Sequence, residues 1–184
     1  MNYDCLILGS GHAGIEAAFA LAKQKLHVGL ITFDENLIAN MPCNPSIGGP
    51  AKGVVTREID SLGGMQAIAA DKCMIQIKLL NLSKGAGVQA LRAQIDKVKY
   101  HEYFKNLIQE NKFIHIIQGI AKKIIIDNKK AIGMIINEKK YFSKMVIIAS
   151  GTFLDSKIFV GKNVTKKGPD NFETNSELSK NLQN

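Results

Sequence analysis

Six residues near the start restrict this chain more than any other feature in it. Residues 3–8 form an apolar, β-forming run, Gly9-Ser10-Gly11-His12-Ala13-Gly14 follows at once, and residues 15–23 carry strong helix formers. Strand, tight turn and helix in that order need glycine for three separate reasons. Gly9 permits the turn, Gly11 lets the backbone approach a pyrophosphate, and Gly14 allows the helix to pack closely on the strand. The helix amino terminus then supplies an anion site. The candidate cofactor-binding residues are therefore Gly9, Ser10, Gly11, His12, Ala13 and Gly14. The apolar run 27–32 reads as the second parallel strand, completing a βαβ mononucleotide-binding half. An acid usually meets the ribose about twenty residues beyond the glycines. Here the strand ends at Thr32, and Asp34 and Glu35 lie just past it, which argues against NAD as the ligand of this half.

With 184 residues and 46% apolar content, the chain can bury one sizeable core but is too short for two full nucleotide-binding domains. No apolar run approaches the roughly 20 residues of a membrane span, and no basic segment followed by a long apolar one opens the chain, so a cytoplasmic protein with no membrane partner is expected. The three cysteines, Cys5, Cys43 and Cys73, are far apart, which suggests neither a zinc site nor a disulfide framework. Cys5 and Cys73 sit in apolar segments as small hydrophobes. The formal charge of +8 fits a nucleic-acid partner. It fits compositional bias equally well, since arginine occurs only at Arg57 and Arg92 and the other cations are lysines.

Residues 33–49 read as a long loop rich in Asn, Pro and Gly. It leads into a helix that opens at Pro50, runs through Val54, Val55 and Ile59, and stops at Gly63-Gly64. Residues 67–82 are ambiguous, with 73–79 the best strand candidate; 92–111 have helical periodicity, and 113–117 form a buried strand. Segments 120–126, 131–137 and 139–142, separated by Asp127-Asn128 and Asn137-Glu138, form an antiparallel meander. A strand over 145–149 follows, leading into Ser150-Gly151-Thr152. The expected fold is α/β: a Rossmann-like dinucleotide-binding domain over residues 1–160 with a parallel sheet and an antiparallel β-meander insert. Residues 161–184 are expected to be a weakly ordered tail whose only helical character lies in 176–182.

The strand ending in Ala149-Ser150-Gly151 resembles the Ala-Thr-Gly signature of the two-dinucleotide flavoproteins, whose first Rossmann unit holds FAD. The blocks Met41-Pro42-Cys43-Asn44-Pro45-Ser46-Ile47-Gly48-Gly49, Ala51-Lys52-Gly53 and Arg57-Glu58-Ile59-Asp60-Ser61-Leu62-Gly63-Gly64 are more specific. With Asn81-Leu82-Ser83-Lys84-Gly85, Leu91-Arg92-Ala93-Gln94 and Gly151-Thr152-Phe153-Leu154 in the same order, they resemble the tRNA uridine 5-carboxymethylaminomethyl modification enzymes, the GidA or MnmG family. The likeness covers nearly the whole chain, as the amino-terminal portion of a longer protein.

That resemblance implies FAD as cofactor, with NADH and methylenetetrahydrofolate as co-substrates in adding a group at C5 of the wobble uridine. It implies tRNA and an MnmE-type GTPase as partners, and a homodimer. Cys43 falls in the family's loop before a helix, where the helix dipole can lower a thiol pKa, and is the candidate catalytic residue. A thiolate there can add at uracil C6 to make C5 nucleophilic, or hold the one-carbon carrier; the competing reading is a small residue packing the loop. Ala121 falls where the family turns a backbone amide and carbonyl to the adenine, and Asn175 where relatives carry a serine near the cofactor. A disulfide reductase is excluded at this position, because Gly48 stands where Cys43 would need its redox partner. Two other readings remain: a folate- and FAD-dependent tRNA uracil methyltransferase, and a truncated, non-catalytic FAD-binding remnant.

Overall fold

The structure is a computed structural model that describes residues 2–42 and 44–183, with backbone only at Asn171. The elements begin with β1 (Asn2–Leu8), α1 (His12–Lys23), β2 (Val28–Thr32) and β3 (Ser46–Gly48). They continue with α2 (Lys52–Ser61), α3 (Gln66–Cys73), β4 (Met74–Leu80), β5 (Ala90–Ile95) and α4 (Lys97–Glu110). The remainder are β6 (Ile114–Gln118), β7 (Ala121–Asp127), β8 (Lys130–Ile136), β9 (Lys139–Ile148), β10 (Ile158–Val160), β11 (Asn163–Thr165) and α5 (Ser176–Leu182). They fall into two compact units, one of residues 1–38 and 108–184, the other of residues 39–107. No helix among the described residues is long and apolar enough to cross a membrane.

The first unit is built on a six-stranded sheet in the order β6-β2-β1-β9-β8-β7. β6, β2, β1 and β9 run parallel, and every residue of β2 is buried, as expected of a strand flanked on both edges and covered on both faces. β9 changes partner along its length. Residues 139–142 pair antiparallel with β8, and from Phe142 onward the same strand pairs parallel with β1, starting at Asn2. The meander's third segment and the returning strand, separate in the sequence reading, are thus one element. Its two hairpins are two-residue turns with positive φ at Asn128 and Lys129 and at Asn137 and Glu138, the mirror-image turns whose twist matches paired strands.

One face of this sheet shares a core in which Leu6, Leu8, Ile31, Ile117, Ala121, Ile124, Met134, Ile136 and the α5 residue Leu178 are all buried. Each fully buried Leu or Ile there contributes roughly 1.5–3 kcal/mol. α5 also closes the outer edge of β7: the Ile124 amide donates to Asn181 Oδ1 at 2.9 Å, and Asn175 Nδ2 donates to the Ala121 carbonyl at 2.6 Å. The segment leading to α5 is tied down further. Thr174 Oγ1 and the Asn175 amide both donate to the Phe153 carbonyl, Ser176 Oγ donates to Asp155, and Phe172 packs edge-on against Phe33.

The second unit has a three-stranded antiparallel sheet, β3-β5-β4, with α2 and α3. Here the helical reading of residues 92–111 is corrected. Residues 90–95 are strand β5, in which Ala93 and Ile95 are buried and Arg92 and Gln94 are not, a period of two. The helix starts only at Lys97, because Asp96 Oδ1 accepts the Val98 and Lys99 amides as an N-cap. The ambiguous stretch resolves into α3 followed by β4, and the long loop contains β3.

Candidate functional site

At the carboxyl end of β1 the chain turns so tightly that two glycines are irreplaceable on steric grounds. Gly9 has φ +109°, and a Cβ there would lie 2.4 Å from the Ala149 carbonyl oxygen. A Cβ on Gly14 would lie 1.8 Å from the Gly9 carbonyl oxygen, so α1 can approach β1 only without one. Gly11 differs. Among the described residues, no heavy atom beyond its chain neighbours lies within 4 Å of a Cβ built there, so no such contact demands glycine, and the missing side chain leaves a cradle above the turn.

That cradle lies at the amino end of α1. Gly11 is its N-cap residue and offers no side-chain oxygen, and no acidic residue stands in the first turn. Neither a cap side chain nor a first-turn acid neutralises the positive end of the helix dipole, and the site suits a diphosphate. Ser10 is buried, and its hydroxyl donates to Thr32 Oγ1 at 2.8 Å; Thr32 Oγ1 donates in turn to the Asp34 carbonyl at 2.8 Å. Ser10 thus locks the turn to the end of β2. Asp34 is occupied as a local cap, accepting from the amide and side chain of Asn36, which fits the missing ribose acid.

Thr32 also orients the far side of the site. Its carbonyl accepts the Gly119 amide at 2.8 Å, two residues before Ala121. A bulge between Ala121 and Lys123 turns both Ala121 and Ile124 to the core, so Ala121 begins β7 fully buried. The glycine turn and Ala121 are thereby linked through one residue, Thr32, which the sequence reading did not single out as a hydrogen-bonding hub. Ala149, Ser150 and Gly151 follow β9 beside Gly9, and the Ala149 amide donates to the Leu8 carbonyl.

Cys43 lies outside the described residues. Its neighbours are held firmly: the Pro45 carbonyl accepts the Ile95 amide at 2.7 Å and Gln94 Nε2 at 3.0 Å. The Gly49 amide donates to the Leu91 carbonyl, and the Gly49 carbonyl accepts the Gly53 amide, so Pro50 falls in the first turn leading into α2. Arg92 stands on β5 opposite Gly48 and Lys78. Lys84 lies in an exposed turn closed by Gln89, whose Nε2 donates to the Lys84 carbonyl. Cys5 and Cys73 are buried, and burial pushes the Cys5 thiol up to about 11. The rings of His27 and His115 stack and join Phe113 and Tyr3 in a structural row.

The family model described as glucose inhibited division protein A matches residues 4–184. A tRNA uridine 5-carboxymethylaminomethyl modification enzyme MnmG from Malacoplasma penetrans is 56% identical over 183 residues, covering 99% of this chain and 30% of the relative. The corresponding Mycoplasma genitalium protein is 50% identical over 185 residues, covering 100% of this chain and 30% of its own length. The chain thus spans about 30% of the length of these relatives. Among solved structures, Aquifex aeolicus GidA superposes with a TM-score of 0.92 at 38% identity, over 100% of this chain and 31% of that one. A GidA-related protein from Thermus thermophilus, at 21% identity and TM-score 0.70 over 98% of this chain and 67% of that one, shares the fold. By sequence and architecture together, this chain belongs to the GidA (glucose inhibited division protein A) family, also named MnmG.

Proposed function

We propose that this chain supplies the FAD-binding part of a cytoplasmic tRNA-modifying flavoprotein that acts at C5 of the wobble uridine. The cradle at Gly11, where an added Cβ would meet no heavy atom of the described residues beyond its chain neighbours within 4 Å, carries the reading. The backbone of residues 9–14 would hold the diphosphate, and the buried Ala121 would meet the adenine. FAD, when bound, supplies electron transfer, with NADH as reductant and methylenetetrahydrofolate as one-carbon donor. The chain's own contribution is to bind and orient. α1 would direct its amino terminus at the diphosphate, Ser10 and Thr32 fix the turn, and Cys43, in the sequence before α2, would supply a thiol. A homodimer, and an MnmE-type GTPase acting with it on tRNA, belong to the same proposal.

The test is direct. Purified chain is titrated with FAD and followed by flavin fluorescence, beside a Gly11→Val variant whose side chain projects into the cradle from a Cβ that meets no described heavy atom beyond its chain neighbours within 4 Å. Binding by the parent and its loss in a folded variant are expected; equal binding by both would end the proposal. For Cys43, the full-length protein carrying Cys43→Ser is expected to keep FAD and lose tRNA modification.

A further inference from the structure

We infer that the outward face of the β7–β8–β9 meander is a platform for an unpaired RNA segment. Register alone defines the face. Lys123, Ile135 and Lys140 stand directly opposite one another in one cross-strand row, and Ile125, Gly133 and Phe142 form the next. The alternate residues Ile124, Met134 and Ile136 are buried in the core, so the rows through Lys123 and Phe142 face outward. Lys123 and Lys140 are exposed, and neither has an ion-pair partner among the described residues. Lys122, by contrast, is engaged with Glu138 and Glu177, and Lys144 with Asp4.

Phe142 is 42% exposed, two residues from Lys140 on the same strand. The residue opposite it on β8 is Gly133, so no side chain from that strand crowds the ring. Two sheet spacings separate Lys123 from Lys140, about 10 Å. An exposed ring beside two free ammonium groups on a rigid sheet matches what single-stranded nucleic acid requires: a π face for a base and cations for the flanking phosphates. A duplex keeps its bases stacked and offers the ring nothing. A protein partner is disfavoured because Lys123 and Lys140 would have to be desolvated against it.

The inference rests on the RNA-directed part of the proposed function and not on its flavin chemistry. It is tested with the whole chain and a fluorescein-labelled single-stranded oligouridine, read by anisotropy across a salt series. The parent is expected to bind the single strand in preference to double-stranded RNA. Lys123→Glu/Lys140→Glu should weaken binding about tenfold and flatten the logarithmic salt slope by about 1.4, at roughly 0.7 per lost phosphate contact. Phe142→Leu, which keeps an apolar side chain but removes the π face, should cost about tenfold with the salt slope unchanged. Lys25→Glu/Lys97→Glu makes the same change in net charge elsewhere and should leave oligouridine binding within about twofold of the parent. Circular dichroism and FAD titration on every variant report folding and the flavin site separately. A parent that ignores oligouridine, or meander variants that bind no worse than the Lys25→Glu/Lys97→Glu protein, would overturn the platform whatever the flavin result.

Discussion

Gly14 stands so close to Gly9 that a methyl group on it would lie 1.8 Å from the Gly9 carbonyl oxygen, whereas a methyl on Gly11, between them, would meet none of the described residues beyond its chain neighbours within 4 Å. The two positions should therefore separate folding from binding. Gly14→Ala forces α1 off β1 and is expected to cost about 1–3 kcal/mol or more in urea denaturation. Gly11→Ala should cost about 1 kcal/mol or less, the difference between glycine and the poorer cap alanine, because its methyl meets no described neighbour. Similar losses at both positions would contradict the geometry.

Asp96 is the residue that stops β5 and starts α4, accepting two amides with one carboxylate oxygen. Asp96→Ala is expected to lower stability by about 1 kcal/mol, and Asp96→Ser to restore most of it. Thermal denaturation of the three proteins provides the comparison.

The Cys5 thiol, fully buried in β1, is raised from 9.0 to about 11 by desolvation, with Asp4 adding to the shift. Because the folded pKa lies above the unfolded one, the folded state holds its proton more tightly. The thiol's contribution to stability is complete below about pH 9 and declines as pH rises toward 11. Urea midpoints measured across that window should fall less steeply for Cys5→Ala than for the parent. Iodoacetamide should leave Cys5 unmodified in the native chain at about pH 8, since thiolate is the reactive form.

Asn181 accepts the Ile124 amide on the outer edge of β7. Removing that acceptor in Asn181→Ala should speed amide exchange at Ile124 about tenfold, as measured by NMR, and cost about 1 kcal/mol. Exchange at Leu30, in the central β2, should change no more than the global stability requires.

Local rules made much of this fold legible. The glycine turn stood between an apolar run and helix formers, and Asn128 and Asn137 marked two hairpins because asparagine tolerates positive φ. The helical reading of 92–111 failed because Ala93 and Ile95 satisfy a period of two as well as they fit a helix, and only Asp96 marks the change. The hairpin of β10 and β11 had a signal, the β-forming Ile158-Phe159-Val160 before Gly161, which has φ +57°. At the candidate site, the glycines were readable because their reasons are local. The Ser10–Thr32 bond and the clasp of Asn175 on Ala121 were not, since the latter pair is 54 residues apart and nothing in either neighbourhood announces the other.

The partner change along β9 has a temporal consequence. β1 is synthesised well before its second neighbour, a strand ending at Ile148, so it waits through the intervening residues with one long apolar edge bare. At about 5–20 residues per second, that interval is on the order of ten seconds. Pairings this distant in sequence close slowly, which leaves the bare edge of β1 in need of a chaperone's cover during that interval.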